Sequence, residues 1–129
     1  MTIINSVLIA NRGEIAIRIS KTLNEMGIKA YGIYSKDDSS SAHLSYCSEV
    51  FELNGTGPSA YLNIDEIISL AKSKKIKAVH PGYGFLSENH AFAASCAKND
   101  IIFIGPNEKT LKNFGNKEEA KKLAQKLGI

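Results

Sequence analysis

Residues 7–34 read VLIANRGEIAIRISKTLNEMGIKAYGIY. The run over 7–10 is apolar and typical of a buried strand, and Asn11-Arg12-Gly13 interrupts it. Apolar residues then recur at helical spacing over 14–27, and a second apolar run covers 30–34. The stretch therefore predicts a strand, a helix and a second strand in succession, which is the unit from which parallel sheets are built.

The same alternation continues to residue 104, with strands predicted over 50–53, 76–80 and 101–104. A short helix is predicted over 42–47, and two longer ones are expected to be capped by Asn63 and Ser87. Three predicted helices have an apolar face: Ile15, Ile19, Leu23 and Met26 before a stop at Gly27; Ile64, Ile67, Ile68 and Ala71; and Phe92, Ala93 and Cys96.

Apolar strands that are each followed by a helix indicate a doubly wound, Rossmann-like α/β domain, a parallel sheet covered on both faces. We expect this domain to span residues 1–106. Two more helical segments, 107–114 and 117–127, predict a C-terminal helical extension over 107–129.

The composition excludes several classes of protein. With 129 residues, 43% hydrophobic and 22% charged, the chain suits one globular domain, and it has no apolar run long enough to span a membrane. Two cysteines are too few for a disulfide scaffold or a zinc site. The start of the chain does not resemble a signal peptide, so we expect a cytoplasmic protein.

The net charge of +3 lies entirely in residues 107–129, which hold six lysines and three glutamates. A lysine-rich helix of this kind is usually a solvated face with pairing four residues apart, whereas nucleic-acid binding requires a denser basic patch with arginines or aromatics. We therefore expect no nucleic-acid partner. Lys117 differs from the other lysines because it follows Gly115-Asn116 at a predicted helix start, where it can reach a phosphate.

Ligands of doubly wound sheets bind beyond the carboxyl ends of the strands. The first of these ends has a single glycine, Gly13, where a dinucleotide site needs Gly-x-Gly-x-x-Gly, and no Walker A sequence occurs anywhere. Residues 11–14 fit either a tight turn with Glu14 at a helix start or a site that also contacts a ligand.

The most informative segment is residues 80–89, HPGYGFLSEN. Two glycines permit positive φ or close approach of a ligand, and Tyr83 between them is expected at the ligand edge of the sheet. The alternative is a structural glycine turn before a capped helix; the density of glycine and aromatic residues favours function. His80 is expected to be a hydrogen-bonded structural residue, and the three histidines share no metal-ligand spacing.

Four segments of the sequence resemble a known family. Residues 7–18, residues 80–89, Tyr61-Leu62-Asn63 and Phe103-Ile104-Gly105-Pro106 are similar to segments of biotin carboxylases, in the same order and over nearly the whole chain. These are the biotin carboxylase domains of acetyl-CoA, propionyl-CoA, pyruvate and urea carboxylases. The resemblance covers the α/β domain that precedes the ATP-grasp domain.

The resemblance implies a function. Biotin carboxylases use ATP, Mg²⁺ and bicarbonate to form carboxyphosphate and carboxylate biotin on a carrier. By position in the motifs, Tyr83, Gly84 and Glu88 would face the carboxylation centre and Lys117 would contact ATP. Arg18, Lys21 and Glu25 would lie at the contact between the two subunits of a homodimer, although Lys21 often appears there as arginine.

The resemblance also implies partners outside the chain: the ATP-grasp and C-terminal domains, a biotin carboxyl carrier and a carboxyltransferase. No Mg²⁺-binding carboxylate pair can be assigned here, so we expect no catalytic residue, no metal site and no tightly bound cofactor in this chain alone. Two departures from the family are Cys47-Ser48, where Ala-Asp is usual, and Asn116, where aspartate precedes the ATP-contacting lysine.

Two alternatives remain open on sequence grounds. The chain could be a non-catalytic dimerisation or interaction module, or the N-terminal domain of another ATP-grasp ligase, which residues 80–89 disfavour. A receiver-like phosphoacceptor domain is unsupported, since the strand ends carry Asn11-Arg12 and His80-Pro81 instead of aspartates.

Overall fold

The computed structural model describes residues 4–105 and residue 125. It contains five strands and three α-helices: β1 (Ser6–Ile9), α1 (Gly13–Glu25), β2 (Lys29–Tyr34), β3 (Glu49–Glu52), α2 (Ile64–Ser73), β4 (Ala78–His80), α3 (His90–Lys98) and β5 (Ile102–Phe103). Short 3-10 helices cover Lys36–Asp38, Ala42–Tyr46 and Pro58–Leu62.

All five strands are parallel and lie in the order β3-β2-β1-β4-β5. The chain builds outward from β1 to β2 and β3, then crosses back and adds β4 and β5 on the other side of β1. This reversal of strand order between β1 and β4 is the position where doubly wound sheets bind ligands. The doubly wound α/β fold predicted from the sequence is confirmed.

Each face of the sheet has its own apolar core. On one face, Ile19 and Leu23 of α1 pack against Val7 and Ile9 of β1. On the other, residues of α2 and α3, among them Ile67 and Phe92, pack against Leu8 of β1. Alternate side chains of β1 therefore point into opposite cores, which explains why residues 7–10 form an uninterrupted apolar run.

Two local expectations are confirmed at the helix ends. Asn63 caps α2 by accepting a hydrogen bond from the Glu66 amide at 3.1 Å. Gly27 follows α1 with a φ of +73°, the left-handed conformation that ends many helices.

Two other local expectations are wrong. Met26 is 37% exposed because α1 already ends at Glu25, and Ile28, beyond the turn, packs against the core instead. Ser87 does not cap α3, which begins at His90 and is capped by Asn89 through the Phe92 amide at 3.0 Å.

The domain boundary expected at residue 106 and the helical segments expected over 107–114 and 117–127 fall outside the described residues. Within residues 4–105 and 125, no helix is long and apolar enough to cross a membrane.

Candidate functional site

The segment between β4 and α3 forms a glycine-rich loop, residues 81–86, at the carboxyl edge of the sheet. Gly82 and Gly84 adopt φ values of +65° and +69°, which few other residues tolerate. Tyr83 between them is 56% exposed, and Gly84 and Glu88 are also exposed. The expectation that Tyr83 is presented at this edge is confirmed.

The glycine-rich loop is anchored to the end of β1 by the side chain of Asn11, which is only 2% exposed. Its Nδ2 donates to the carbonyl oxygens of Pro81 at 2.7 Å and Tyr83 at 2.8 Å, and its Oδ1 accepts from the Arg12 amide at 2.8 Å. A Cβ on Gly82 would lie 2.7 Å from Asn11 Nδ2, so the loop backbone is in direct contact with this amide.

His80, at the end of β4, holds the loop from the other strand. It is fully buried, and its Nδ1 accepts a hydrogen bond from the Gly82 amide at 3.0 Å. The proton of the neutral ring is therefore on Nε2, which has no hydrogen-bond partner in the part of the chain described. Burial lowers the pKa of His80 to about 3, so the ring is neutral at physiological pH. The bond from the Gly82 amide agrees with the hydrogen-bonded histidine expected at this position.

Beside the loop lies a pocket of about 220 Å³, lined by residues that follow β1, β2 and β3 and by Phe85. Its polar wall is an ion pair in which Arg12 Nε donates to Asp38 Oδ2 at 2.8 Å and Nη2 donates to Oδ1 at 3.2 Å. The hydroxyl of Tyr61 also donates to Asp38 Oδ2 at 3.2 Å and accepts from the Ser35 amide at 3.1 Å.

The charged groups in this pocket all take part in hydrogen bonds. The hydrogen bond to Asp38 raises the pKa of Arg12, and the same bond lowers the pKa of Asp38. Hydrogen bonds from the Gly57 amide and the Ser35 hydroxyl lower the pKa of Asp37. Because these groups satisfy each other, the cluster forms a structural junction between three strand ends and the loop.

The apolar side of this junction joins it to the loop. The rings of Tyr61 and Phe85 lie 5.4 Å apart in a tilted arrangement, and Tyr61 is fully buried. The Arg12–Asp38 ion pair is thus connected, through Tyr61, to Phe85 in the glycine-rich loop.

Sequence reasoning did not identify Asn11 as an anchor, nor the pairing of Arg12 with Asp38. Asn11 lies 70 residues from Pro81 along the chain, and Arg12 lies 26 from Asp38. The one available signal is position, because residues 11–13 and 81–84 follow predicted strands, and doubly wound sheets bind ligands beyond the carboxyl ends of their strands.

The remaining predicted residues fall into two groups. Arg18, Lys21 and Glu25 are all exposed on α1, and Lys21 Nζ lies 5.2 Å from the centre of the Tyr46 ring. Lys117 and its neighbour Asn116 lie outside the described residues. Within those residues, no three His, Cys, Asp or Glu side chains are grouped so that they could hold a metal ion.

Cys47, which stands where biotin carboxylases usually have alanine, lies against β2 at Gly32. A Cβ on Gly32 would be 2.8 Å from Cys47 Sγ, and this sulfur lies 3.7 Å from the Ser20 hydroxyl. Burial raises the pKa of the Cys47 thiol and raises that of Cys96, in the core, to about 12. Neither cysteine is therefore a reactive thiolate at neutral pH.

Both the sequence and the fold of this chain match known proteins. A family model described as biotin carboxylase, N-terminal domain, matches residues 3–111. The chain belongs to this family. Among its relatives, pyruvate carboxylase of Bacillus subtilis is 49% identical, in an alignment that covers 98% of this chain and 11% of the relative. Biotin carboxylase 2 of the same organism is 44% identical over 124 residues, covering 95% of this chain and 28% of the relative.

Solved structures agree with this assignment. The biotin carboxylase domain of a thermophilic 2-oxoglutarate carboxylase bound to bicarbonate has a TM-score of 0.80 and 38% identity, over 94% of this chain and 27% of that one. A complete pyruvate carboxylase from Rhizobium etli gives a TM-score of 0.78 and 39% identity, over 99% of this chain and 13% of that one. The biotin carboxylase N-terminal domain described here thus spans less than a third of each of these relatives.

Proposed function

We propose that this chain is the N-terminal part of an ATP-dependent ligase that carboxylates carrier-bound biotin, with bicarbonate as the carbon source and carboxyphosphate as the intermediate. The observation that carries the proposal is the glycine-rich loop. The family segments at residues 7–18 and 80–89 meet there, at the switch point of the sheet, and Tyr83 is presented to the outside.

In this proposal the described residues shape one wall of the reaction centre. Tyr83 and Gly84 offer an exposed ring and an uncovered stretch of backbone, and Glu88 lies exposed in the turn that follows. The buried anchors Asn11 and His80 hold that wall in place. ATP with Mg²⁺, when bound, supplies the phosphoryl group that activates bicarbonate.

The chain alone is proposed to be inactive. Among the described residues, no three His, Cys, Asp or Glu side chains are grouped as for a metal ion. The metal and most of the nucleotide site are proposed to belong to an ATP-grasp domain, to which Lys117 would add one contact. We expect isothermal titration of this chain with Mg-ATP to show weak binding or none. Micromolar affinity would contradict this part of the proposal.

Activity is tested best by joining the chain to the rest of a relative. Residues 1–129 would replace the corresponding segment of Biotin carboxylase 2 of B. subtilis, of which the chain covers 28%. We expect the chimera to carboxylate biotin when ATP, Mg²⁺ and bicarbonate are present, whereas this chain alone should not.

A biotin carboxyl carrier protein and a carboxyltransferase are the proposed downstream partners of the whole enzyme.

The exposed face of α1 supports a proposed homodimer contact through Arg18, Lys21 and Glu25. Sedimentation of the chimera and of its Arg18→Glu variant tests it: the unchanged chimera should be a dimer and the variant should dissociate more readily. Identical masses at every concentration would rule out this contact. A dimer formed by this chain alone would instead support the alternative of a non-catalytic dimerisation module.

A further inference from the structure

We propose that Asn11 is a positioning residue for the carboxylation reaction: its carboxamide fixes the backbone of the glycine-rich loop, and thereby the place of Tyr83 and Gly84 in the reaction centre. This proposal rests on the function proposed above. It concerns a residue that does not itself touch the reacting atoms and acts through the loop.

The first observation is that one buried amide holds two alternate carbonyls of the loop. Both bonds from Asn11 Nδ2 are short, at 2.7 Å to Pro81 and 2.8 Å to Tyr83, and Oδ1 is used as well, by the Arg12 amide. Asn11 is therefore oriented by its own strand end while it orients the loop, and its burial keeps water from competing for these bonds.

The second observation is steric. Gly82 has a φ of +65°, and a Cβ there would approach Asn11 Nδ2 to 2.7 Å. Hydrogen bonding and close contact thus fix the same segment of the loop. Beyond this segment, Leu86 is buried in the core and Phe85 packs on Tyr61, so residues 85–86 have anchors that do not depend on Asn11.

The chemistry of the amide is what the position requires. An aspartate has the same shape as asparagine but no N–H group. When ionised it can donate to neither the Pro81 nor the Tyr83 carbonyl, and when burial keeps it protonated it can donate to only one of them. The Asn11→Asp substitution therefore removes at least one of the two loop bonds while it preserves volume. A matched control exists at Asn63, whose side-chain oxygen accepts from the Glu66 amide, so that Asn63→Asp retains this hydrogen bond.

A spectroscopic test uses the chain labelled with 3-fluorotyrosine, with the Tyr83 fluorine signal assigned by loss in Tyr83→Phe. We expect Asn11→Asp to move this signal towards its position in the unfolded chain, and Asn63→Asp to leave it in place. Asn11→Ser, whose hydroxyl is too short to reach either carbonyl from this position, should also shift the signal and serves if the aspartate variant does not fold. An unmoved signal in a folded Asn11 variant would overturn the proposal.

The kinetic test uses the chimera with Biotin carboxylase 2, below the unfolding temperature of every variant. Displacement of a reaction-centre wall by about 1 Å costs up to about 100-fold in rate. We expect the Asn11 variants to lower kcat about 10- to 100-fold while the KM for ATP changes less than about twofold. Asn63→Asp should match the unchanged chimera.

The outcomes separate this proposal from the function on which it rests. An active chimera in which folded Asn11→Asp retains full kcat overturns the positioning role alone. A decrease in activity that matches only the fraction of unfolded protein also overturns it, because that result indicates a structural role. A folded but inactive unchanged chimera overturns the proposed function, and the positioning role with it.

Discussion

Replacing His80 with asparagine is expected to flatten the dependence of the chain's stability on pH between 7 and 5. In the folded chain, burial lowers the pKa of His80 to about 3, whereas in the unfolded chain a histidine has a pKa of about 6.5. As the pH falls through 6.5, the unfolded state takes up a proton that the folded state does not. The free energy of unfolding therefore decreases with falling pH until the folded pKa is reached.

The size of the effect follows from these two pKa values. Between pH 7 and pH 5, His80 should lower the free energy of unfolding by about 2 kcal/mol. Asp37 and Asp38 have lowered pKa values, so the stability they contribute is lost only at more acidic pH, below this window. Burial also lowers the pKa of His43, but its contribution is the same in both proteins and cancels in the comparison.

The assay is urea unfolding at the two pH values, followed by circular dichroism, for the unchanged chain and for His80→Asn. Asparagine can still accept from the Gly82 amide, so the variant removes the titrating ring and retains the acceptor. The decrease in unfolding free energy should be smaller in the variant by about 2 kcal/mol. Equal decreases in the two proteins would refute the assignment of His80 as a buried neutral ring.

Two smaller predictions concern the junction and the start of α3. Tyr61→Phe removes the hydroxyl that Ser35 and Asp38 share, and it should cost about 1–3 kcal/mol in urea unfolding because the buried Ser35 amide is left unpaired; a change below about 0.5 kcal/mol would contradict this role. Asn89→Ala removes the cap of α3 and should cost about 1 kcal/mol, whereas Ser87→Ala should change stability by less than about 0.5 kcal/mol; the reverse order would restore Ser87 as the cap.

The parts of the fold that local sequence determines could be predicted. The strand runs, the cap at Asn63 and the stop at Gly27 depend on residues within one turn of each other, and the structure agrees. The predicted start of α3 was wrong because serine and asparagine are both good caps, and the sequence offers Ser87 as well as Asn89. Burial of Leu86 and the bond from the Ser87 amide to the Gly84 carbonyl, at 2.9 Å, place Ser87 in a turn.

The candidate site was predicted in outline but not in its contacts. Two glycines on either side of a tyrosine, directly after a predicted strand, identify the loop, because the conformational freedom of glycine can be inferred from the sequence. Two of the bonds that hold the loop come from Asn11, which is distant in sequence and close only because β1 and β4 are neighbours. No periodicity carries that information; it follows from the order of the strands.

The most direct test of the central claim is fixation of labelled bicarbonate into biotin by the chimera of this chain with Biotin carboxylase 2. The control is the same relative without its corresponding N-terminal segment. The account predicts ATP-dependent fixation by the chimera, none by the control and none by residues 1–129 alone. A chimera that is folded and binds ATP but fixes no bicarbonate would contradict the account.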